Sequence, residues 1–390
     1  MTEYHFPPIE LLMDNNESSV FKSLSYVQEQ AKNLDSMFAA FKMDVKVIDY
    51  KYNDFAILLK LKLGPGVNTR AVRRLRADIE LHMANPVDFL DDPGGHGITI
   101  AVKNIKRPHV ALKDIIQSNE FQEAKSKVSV AAGLDLFGGR FVLDLASLPN
   151  LLVAGVTGSG KSVFLHDIIL SILYKARPDE VKILLFDMKG IEFPLLNGIP
   201  HMLRDTIVDT ETGLAVLKWL QNEKDNRLFQ MKKIKANNID EYNRDAKEPL
   251  PRIVLIIDEF MEYVRQKTEE IDYFDEFNAI LEDLVKGSKE TGIHMVLATQ
   301  RPSNDVITPT IDSLVPCRAS FVVVDKRESE IALNRTGAER LLGEGDMIFT
   351  RNRSDGGIHA QAAYVTEQEI NKVVAFLSRE SGLFGSDPIV

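Results

Sequence analysis

The stretch that decides how this chain folds is LLVAGVTGSGKSVFLHDIIL, residues 151–170. Its centre, Gly155-Val-Thr-Gly-Ser-Gly160-Lys161-Ser162, satisfies G-x-x-x-x-G-K-[ST]. It stands between a strand-like run, NLLVA, and a helical one, SVFLHDIILSILY, which is the context that pattern requires. Glycines let backbone N–H groups from about Gly158 to Val163 converge on phosphate oxygens, and a helix start adds partial positive charge. The candidate nucleotide-binding residues are Thr157, Gly158, Ser159, Gly160, Lys161, Ser162 and Val163. With ATP bound, Lys161 is expected to reach the β- and γ-phosphates and Ser162 to ligate Mg2+. A glycine-rich turn of purely structural use would need neither the lysine nor the serine.

Downstream, short apolar runs alternate with helical segments: KILLFD, RIVLIID, HMVLAT and ASFVVV. Continuous rather than alternating hydrophobicity predicts a mostly parallel sheet covered on both faces. Three of these runs end in residues that suit a phosphate site. RIVLIIDEF ends in Asp258, an expected partner of Mg2+ through water, and Glu259, a candidate base for an attacking water. HMVLATQRPS ends in Thr299-Gln300-Arg301, where Gln300 is placed to sense the γ-phosphate. LLFDMKG ends in Asp187 and Lys189, for which a structural and a functional role are both open. An acid pair beside the phosphates favours hydrolysis over binding alone.

Upstream the style differs. Residues 1–18 read as an extended arm, and apolar residues from Val20 to Phe41 recur at helical spacing. VKVIDY and AILLKLKL read as strands, residues 68–84 as a second helix, DDPGGHG as a turn and ITIAV as another strand. Residues 19–124 are thus expected to form a smaller α+β domain, residues 125–380 the α/β domain opened by a hairpin, and residues 381–390 a tail. The acidic KTEEIDYFDEF, residues 267–277, reads as a solvated helix or loop.

A net charge of −10 argues against coating nucleic acid over a broad surface but leaves room for a local basic lining. The single cysteine, Cys317, excludes an intramolecular disulfide and reads as a core residue in a reducing compartment. No apolar run approaches the roughly 18–20 residues of a spanning helix. A cytoplasmic chain with no membrane insertion of its own is expected, with a membrane-bound partner left open.

Together, LLVAGVTGSGKSV, YKARPDEVKILLFDMKG, GIPHML, VLIIDEF, TGIHMVLATQRPSNDVIT and GAERLLGEGDMI resemble the FtsK/SpoIIIE double-stranded DNA translocases. YHFPPIELL and LKLGPGV extend the resemblance upstream, to residues 4–376. It implies a RecA-like P-loop NTPase domain preceded by a ring-platform domain. It further implies a homo-oligomeric, hexameric ring, with ATP at subunit interfaces and duplex DNA in the pore. Arg301 and Lys326 match pore-loop cations that meet DNA, and backbone phosphates are their expected target.

Departures accompany the matches. A pore lysine falls on Asp312 and a pore arginine on Glu330, for which the neighbouring Arg327 could compensate. The family's trans-acting arginine finger aligns with Lys289, which supplies charge without a planar bidentate fork. Arg318 or Arg301 of a neighbouring subunit are the alternatives. The family's N-terminal membrane helices and C-terminal winged-helix domain have no counterpart, so an accessory or mobile-element motor is expected. The competing readings are an FtsK-like ATPase powering transfer of single-stranded DNA or protein, and a nucleotide-dependent scaffold that does not hydrolyse.

Overall fold

The apolar runs between residues 151 and 320 become the strands of one sheet in a computed structural model, which describes residues 4–14, 24–91, 97–260, 262 and 273–379. Residues 1–3 and 15–18 of the arm, Val20 and Phe21, residues 92–96 of the expected turn, residues 267–272 of the acidic segment and the tail 381–390 lie outside the described residues. The chain divides into two units. The larger comprises Met1–Asp14, Ala111–Gly133 and Phe141–Val390, and the smaller Asn15–Val110 with Leu134–Arg140.

The smaller unit is an antiparallel sheet in the order β1-β2-β4-β3, built from β1 (Val45–Tyr52), β2 (Ala56–Leu63), β3 (Val87–Asp91) and β4 (Ile98–Lys103). Helix Leu24–Ala40 buries Val27, Ala31, Leu34, Met37 and Phe38, the stripe its periodicity predicts, among Leu59, Ile79 and Ile100. The single helix expected over 68–84 is two, Thr69–Arg74 and Arg76–Met83. Asn68 caps the first by accepting from the Ala71 N–H.

Strands β6 (Ser129–Asp135) and β7 (Arg140–Asp144) form the expected hairpin, whose turn is pinned by Asp135 Oδ1 accepting from the Phe137 and Gly139 N–H groups. The short β5 (Val110–Ala111) precedes them. The sheet runs β7-β6-β14-β13-β12-β8-β11-β10-β9, with β5 pairing off that path on β14. Its strands are β8 (Leu151–Ala154), β9 (Val181–Asp187), β10 (Arg252–Asp258), β11 (Ile293–Thr299), β12 (Cys317–Ser320), β13 (Asp346–Thr350) and β14 (Ile358–Tyr364).

From β12 to β9 every neighbouring pair is parallel, whereas β12, β13 and β14 pair antiparallel. The parallel strands are mostly apolar because helices cover them. Phe186, Leu255, Ile257 and Met295 pack with Leu214 and Leu217 of helix Thr210–Ile234 and Leu281 of helix Tyr273–Val285. ASFVVV pairs only as far as Ser320. Beyond it the chain turns along the phosphate loop rather than extending the sheet.

Register brings the carboxyl ends into one row. Asp258 lies opposite Asp187, while Thr299 and Ser320 flank Ala154. Ligands of open α/β sheets bind beyond that edge.

Candidate nucleotide-binding site

The loop leaves β8 tied to both neighbouring strands. The Gly155 N–H donates to the Thr299 carbonyl at 3.2 Å and the Val156 N–H to the Val322 carbonyl at 3.0 Å. The Ser159 N–H closes a turn on the Val156 carbonyl, and the Gly345 N–H donates to the Ser159 carbonyl at 2.9 Å. Gly160 has φ +108, and a Cβ there would stand 2.7 Å from the Gly345 nitrogen. Two backbones touch at this point, so glycine is required at Gly160. At Gly158, φ +77, the space around a Cβ is open. Helix Lys161–Leu173 then starts at Gly160 with no side-chain cap on its first N–H groups. The Ser159 hydroxyl is buried without a hydrogen-bond partner in the same loop.

The strand-end acids face this loop. Lys161, 3% exposed, donates from Nζ to Asp258 Oδ1 and lies 3.2 Å from Glu259 Oε1. Glu259 is the first residue past β10 and takes a left-handed φ of +48°, a conformation that costs a non-glycine residue roughly 1–2 kcal/mol. Burial pushes its carboxyl up, with Asp258 adding to that and Lys161 and the Gln300 N–H opposing. Gln300 Oε1 accepts from Thr157 Oγ1 at 2.8 Å, so the residue beyond β11 is already latched to the loop. Ser162 Oγ donates to Glu192 Oε1 at 2.8 Å.

The residues present suit Mg2+. Among the described residues no group of three or more His, Cys, Asp or Glu side chains could hold a metal ion by itself. One hydroxyl, Ser162, and one strand-end carboxylate, Asp258, match an ion that takes few protein ligands and keeps water and phosphate oxygens.

Other predicted residues separate into those that join the site and those that do not. Asp187 is structural: its carboxylate accepts from the N–H groups of Lys189, Gly190, Glu192 and Phe193 at 2.7–3.2 Å. Lys189 Nζ lies 3.2 Å from Glu262. Arg301, Lys326 and Arg327 are exposed just beyond β11 and β12, and Lys326 opens helix Lys326–Leu333 with Asp325 as its cap.

Lys289 precedes β11 at the opposite edge of the sheet from Lys161. It is exposed, and its Nζ donates to the Ser147 carbonyl at 2.9 Å. Arg318, by contrast, is 1% exposed and bonded to the Asp312 carboxylate at 2.8 Å, which also receives Arg353. That burial takes Arg318 out of the candidates for a finger offered to another subunit. Cys317 is a core thiol pushed up to about 11 by burial.

Glu192, His166 and Gly345 escaped the sequence reading. Glu192 and Gly345 reach the loop only through the turns that follow β9 and precede β13, whereas His166 stands one helical turn beyond Ser162, where nothing in the motif calls for a histidine.

The description of the FtsK/SpoIIIE family matches residues 111–304, and that of the FtsK alpha domain residues 6–102. A protein named DNA translocase FtsK from Caldanaerobacter subterraneus is 36% identical over 378 residues, covering 96% of this chain and 52% of that one. Another of the same name from Clostridium acetobutylicum is 35% identical over 386 residues, covering 97% and 50%. The chain thus spans about half the length of the curated relatives it matches. Among solved structures, the conjugation coupling protein TcpA in its monomer form with ATPγS superposes with a TM-score of 0.63 at 22% identity, covering 90% of this chain and 99% of that one. That likeness establishes the P-loop ATPase fold. With both family descriptions matched, and with a phosphate loop, a strand-end acid pair and a latched glutamine along one sheet edge, the chain belongs to the FtsK/SpoIIIE family.

Proposed function

We propose that the chain is an ATP-hydrolysing motor that moves double-stranded DNA through a homo-oligomeric ring, most simply a hexamer, in the cytoplasm. The observation that carries this reading is the meeting of Lys161, Asp258, Glu259 and Gln300 at one sheet edge, with Arg301 and Lys326 exposed beyond strands on either side of β8. It is supported by relatives whose names say DNA translocase.

The backbone from Thr157 to Val163 would cradle the phosphates. Lys161 would exchange its carboxylate partners for β- and γ-phosphate oxygens, a swap of one charged hydrogen bond for another. Freed of the lysine, Glu259 would orient and deprotonate the attacking water. Ser162, directly, and Asp258, through water, would hold Mg2+, which would neutralise charge building on the phosphates. Gln300, on the loop's Thr157, would report loss of the γ-phosphate to Arg301 next to it in the chain. Arg301, Lys326 and Arg327 would meet DNA phosphates, so movement would ignore sequence. Lys289 would act on a neighbouring subunit's nucleotide, since it stands at the sheet edge away from its own. Residues 19–124 would serve as the ring platform and residues 125–380 as the motor.

A second reading, transfer of single-stranded DNA or protein, is favoured by one feature: Asp312 and Glu330 set carboxylates where the family carries cations. ATP turnover with linear duplex, with single-stranded DNA and with neither separates the two. Strong stimulation by duplex alone is expected. Equal rates in all three would reject the DNA motor, and preference for single strands would select the second reading.

A further inference from the structure

Strand β9 ends in Asp187, and the six residues after it wind around that one carboxylate. Four backbone N–H groups donate to it, including that of Glu192 at 2.7 Å. Asp187 is buried, so the turn cannot drift without stripping a buried charge of its donors. The turn is also fastened to the helix that follows the phosphate loop. His166, one helical turn beyond Ser162, lies with Nδ1 3.0 Å from the Ser162 carbonyl oxygen and Nε2 3.1 Å from that of Glu192. Its ring meets Phe193 edge to face, with centroids 5.8 Å apart. Backbone and ring together leave the Glu192 carboxylate against Ser162, whose hydroxyl donates to it at 2.8 Å.

A hydroxyl that coordinates a cation does so through an oxygen lone pair, and its proton must then point away from the metal. An acceptor fixed on the far side selects that rotamer in advance and makes the oxygen more electron-rich, as outer-shell carboxylates do for other metal ligands. We propose that Glu192 is a positioning residue for the Mg2+ ligand Ser162, so that the turn after β9 forms part of the nucleotide site. This rests on the reading of Ser162 as a metal ligand.

The test measures binding of a fluorescent, non-hydrolysable ATP analogue during Mg2+ titration of the whole chain. The variants are Glu192→Ala, Glu192→Gln, Ser162→Ala and the double Ser162→Ala/Glu192→Ala. Binding in EDTA reports that each variant folds and keeps its phosphate loop, and all are expected to match the parent there. Glu192→Ala should move the Mg2+ midpoint up by about 10–100-fold, as loss of an outer-shell partner typically does. Glu192→Gln, whose amide oxygen still accepts the Ser162 proton, should recover much of that shift. The double variant should be no worse than Ser162→Ala, because the two residues act through one contact.

An unchanged Mg2+ midpoint in Glu192→Ala, alongside a shifted one in Ser162→Ala, overturns the inference. A further loss in the double variant overturns it too, because Glu192 would then act on the ion without Ser162. An unchanged midpoint in Ser162→Ala rejects instead the underlying reading of that serine. Loss of EDTA binding in both Glu192 variants would mean that the contact maintains the loop itself, and would also count against the inference.

Discussion

At the scale of single residues, Glu259 and His201 illustrate opposite uses of burial. Glu259 is buried, strained and beside a lysine, which is the environment of a base kept near its partner until substrate arrives. Glu259→Gln should therefore bind a fluorescent ATP analogue as the parent does while steady-state turnover falls by about 10²-fold or more. Near-normal turnover in that variant would remove Glu259 from the role. His201 is a core residue. Its Nε2 donates to the Ala176 carbonyl at 2.9 Å, and the buried Nδ1 has no partner, as a neutral ring allows. Burial drives its pKa down to about 4, with the Ala176 carbonyl opposing.

Between pH 6.5 and 4 the unfolded chain therefore binds a proton at His201 that the folded chain refuses. Stability present above pH 6.5 is lost as pH falls through that window, about 3 kcal/mol from this group. His201→Gln keeps a donor and does not titrate, so its melting temperature should fall less than the parent's between those pH values. Parallel melting curves would contradict the assignment. Lys161, Asp258 and Glu259 were legible in the sequence because each sits at a strand end or loop whose pattern states its chemistry. Glu192 was not, because its position depends on a turn wound around Asp187.

At the scale of elements, the phosphate loop is held from outside as well as from within. The Gly343–Glu344–Gly345 turn before β13 donates a hydrogen bond to it and fills the space where a Gly160 side chain would go. Gly160→Ala should cost more than about 2 kcal/mol in urea unfolding, combining a left-handed φ with displacement of backbone. Gly158→Ala meets open space and should cost only about 1 kcal/mol, yet it should weaken nucleotide binding, because phosphate would enter that space in the proposed function. Equal stability losses at the two glycines would refute the buttress.

Hydrophobic periodicity located β8 to β11, β1, β2 and helix Leu24–Ala40, where burial on both faces or one stripe writes itself into residue order. It missed the break at Leu75, where no glycine or proline marks the end of a helix, and β3, whose VDFLD alternates weakly. It also missed β13 and β14, the antiparallel strands of a sheet read as mostly parallel. Pairing of ASFVVV stops at Ser320 because the next residues bond to the phosphate loop, a tertiary demand that local propensity does not carry.

At the scale of the whole molecule, a net charge of −10 coexists with exposed Arg301, Lys326 and Arg327 beyond the sheet edge that carries the nucleotide residues. Overall charge says little here, since attraction to phosphates is decided within about a Debye length of the contact. Among the described residues no helix is long and apolar enough to cross a membrane. What the central claim requires is directed movement on duplex coupled to hydrolysis. The most direct test is displacement of a third-strand oligonucleotide annealed to linear duplex DNA. ATP should drive its release, while the non-hydrolysable analogue and the Glu259→Gln variant leave it bound. Vigorous ATP turnover on the same duplex with the third strand still in place would contradict the account.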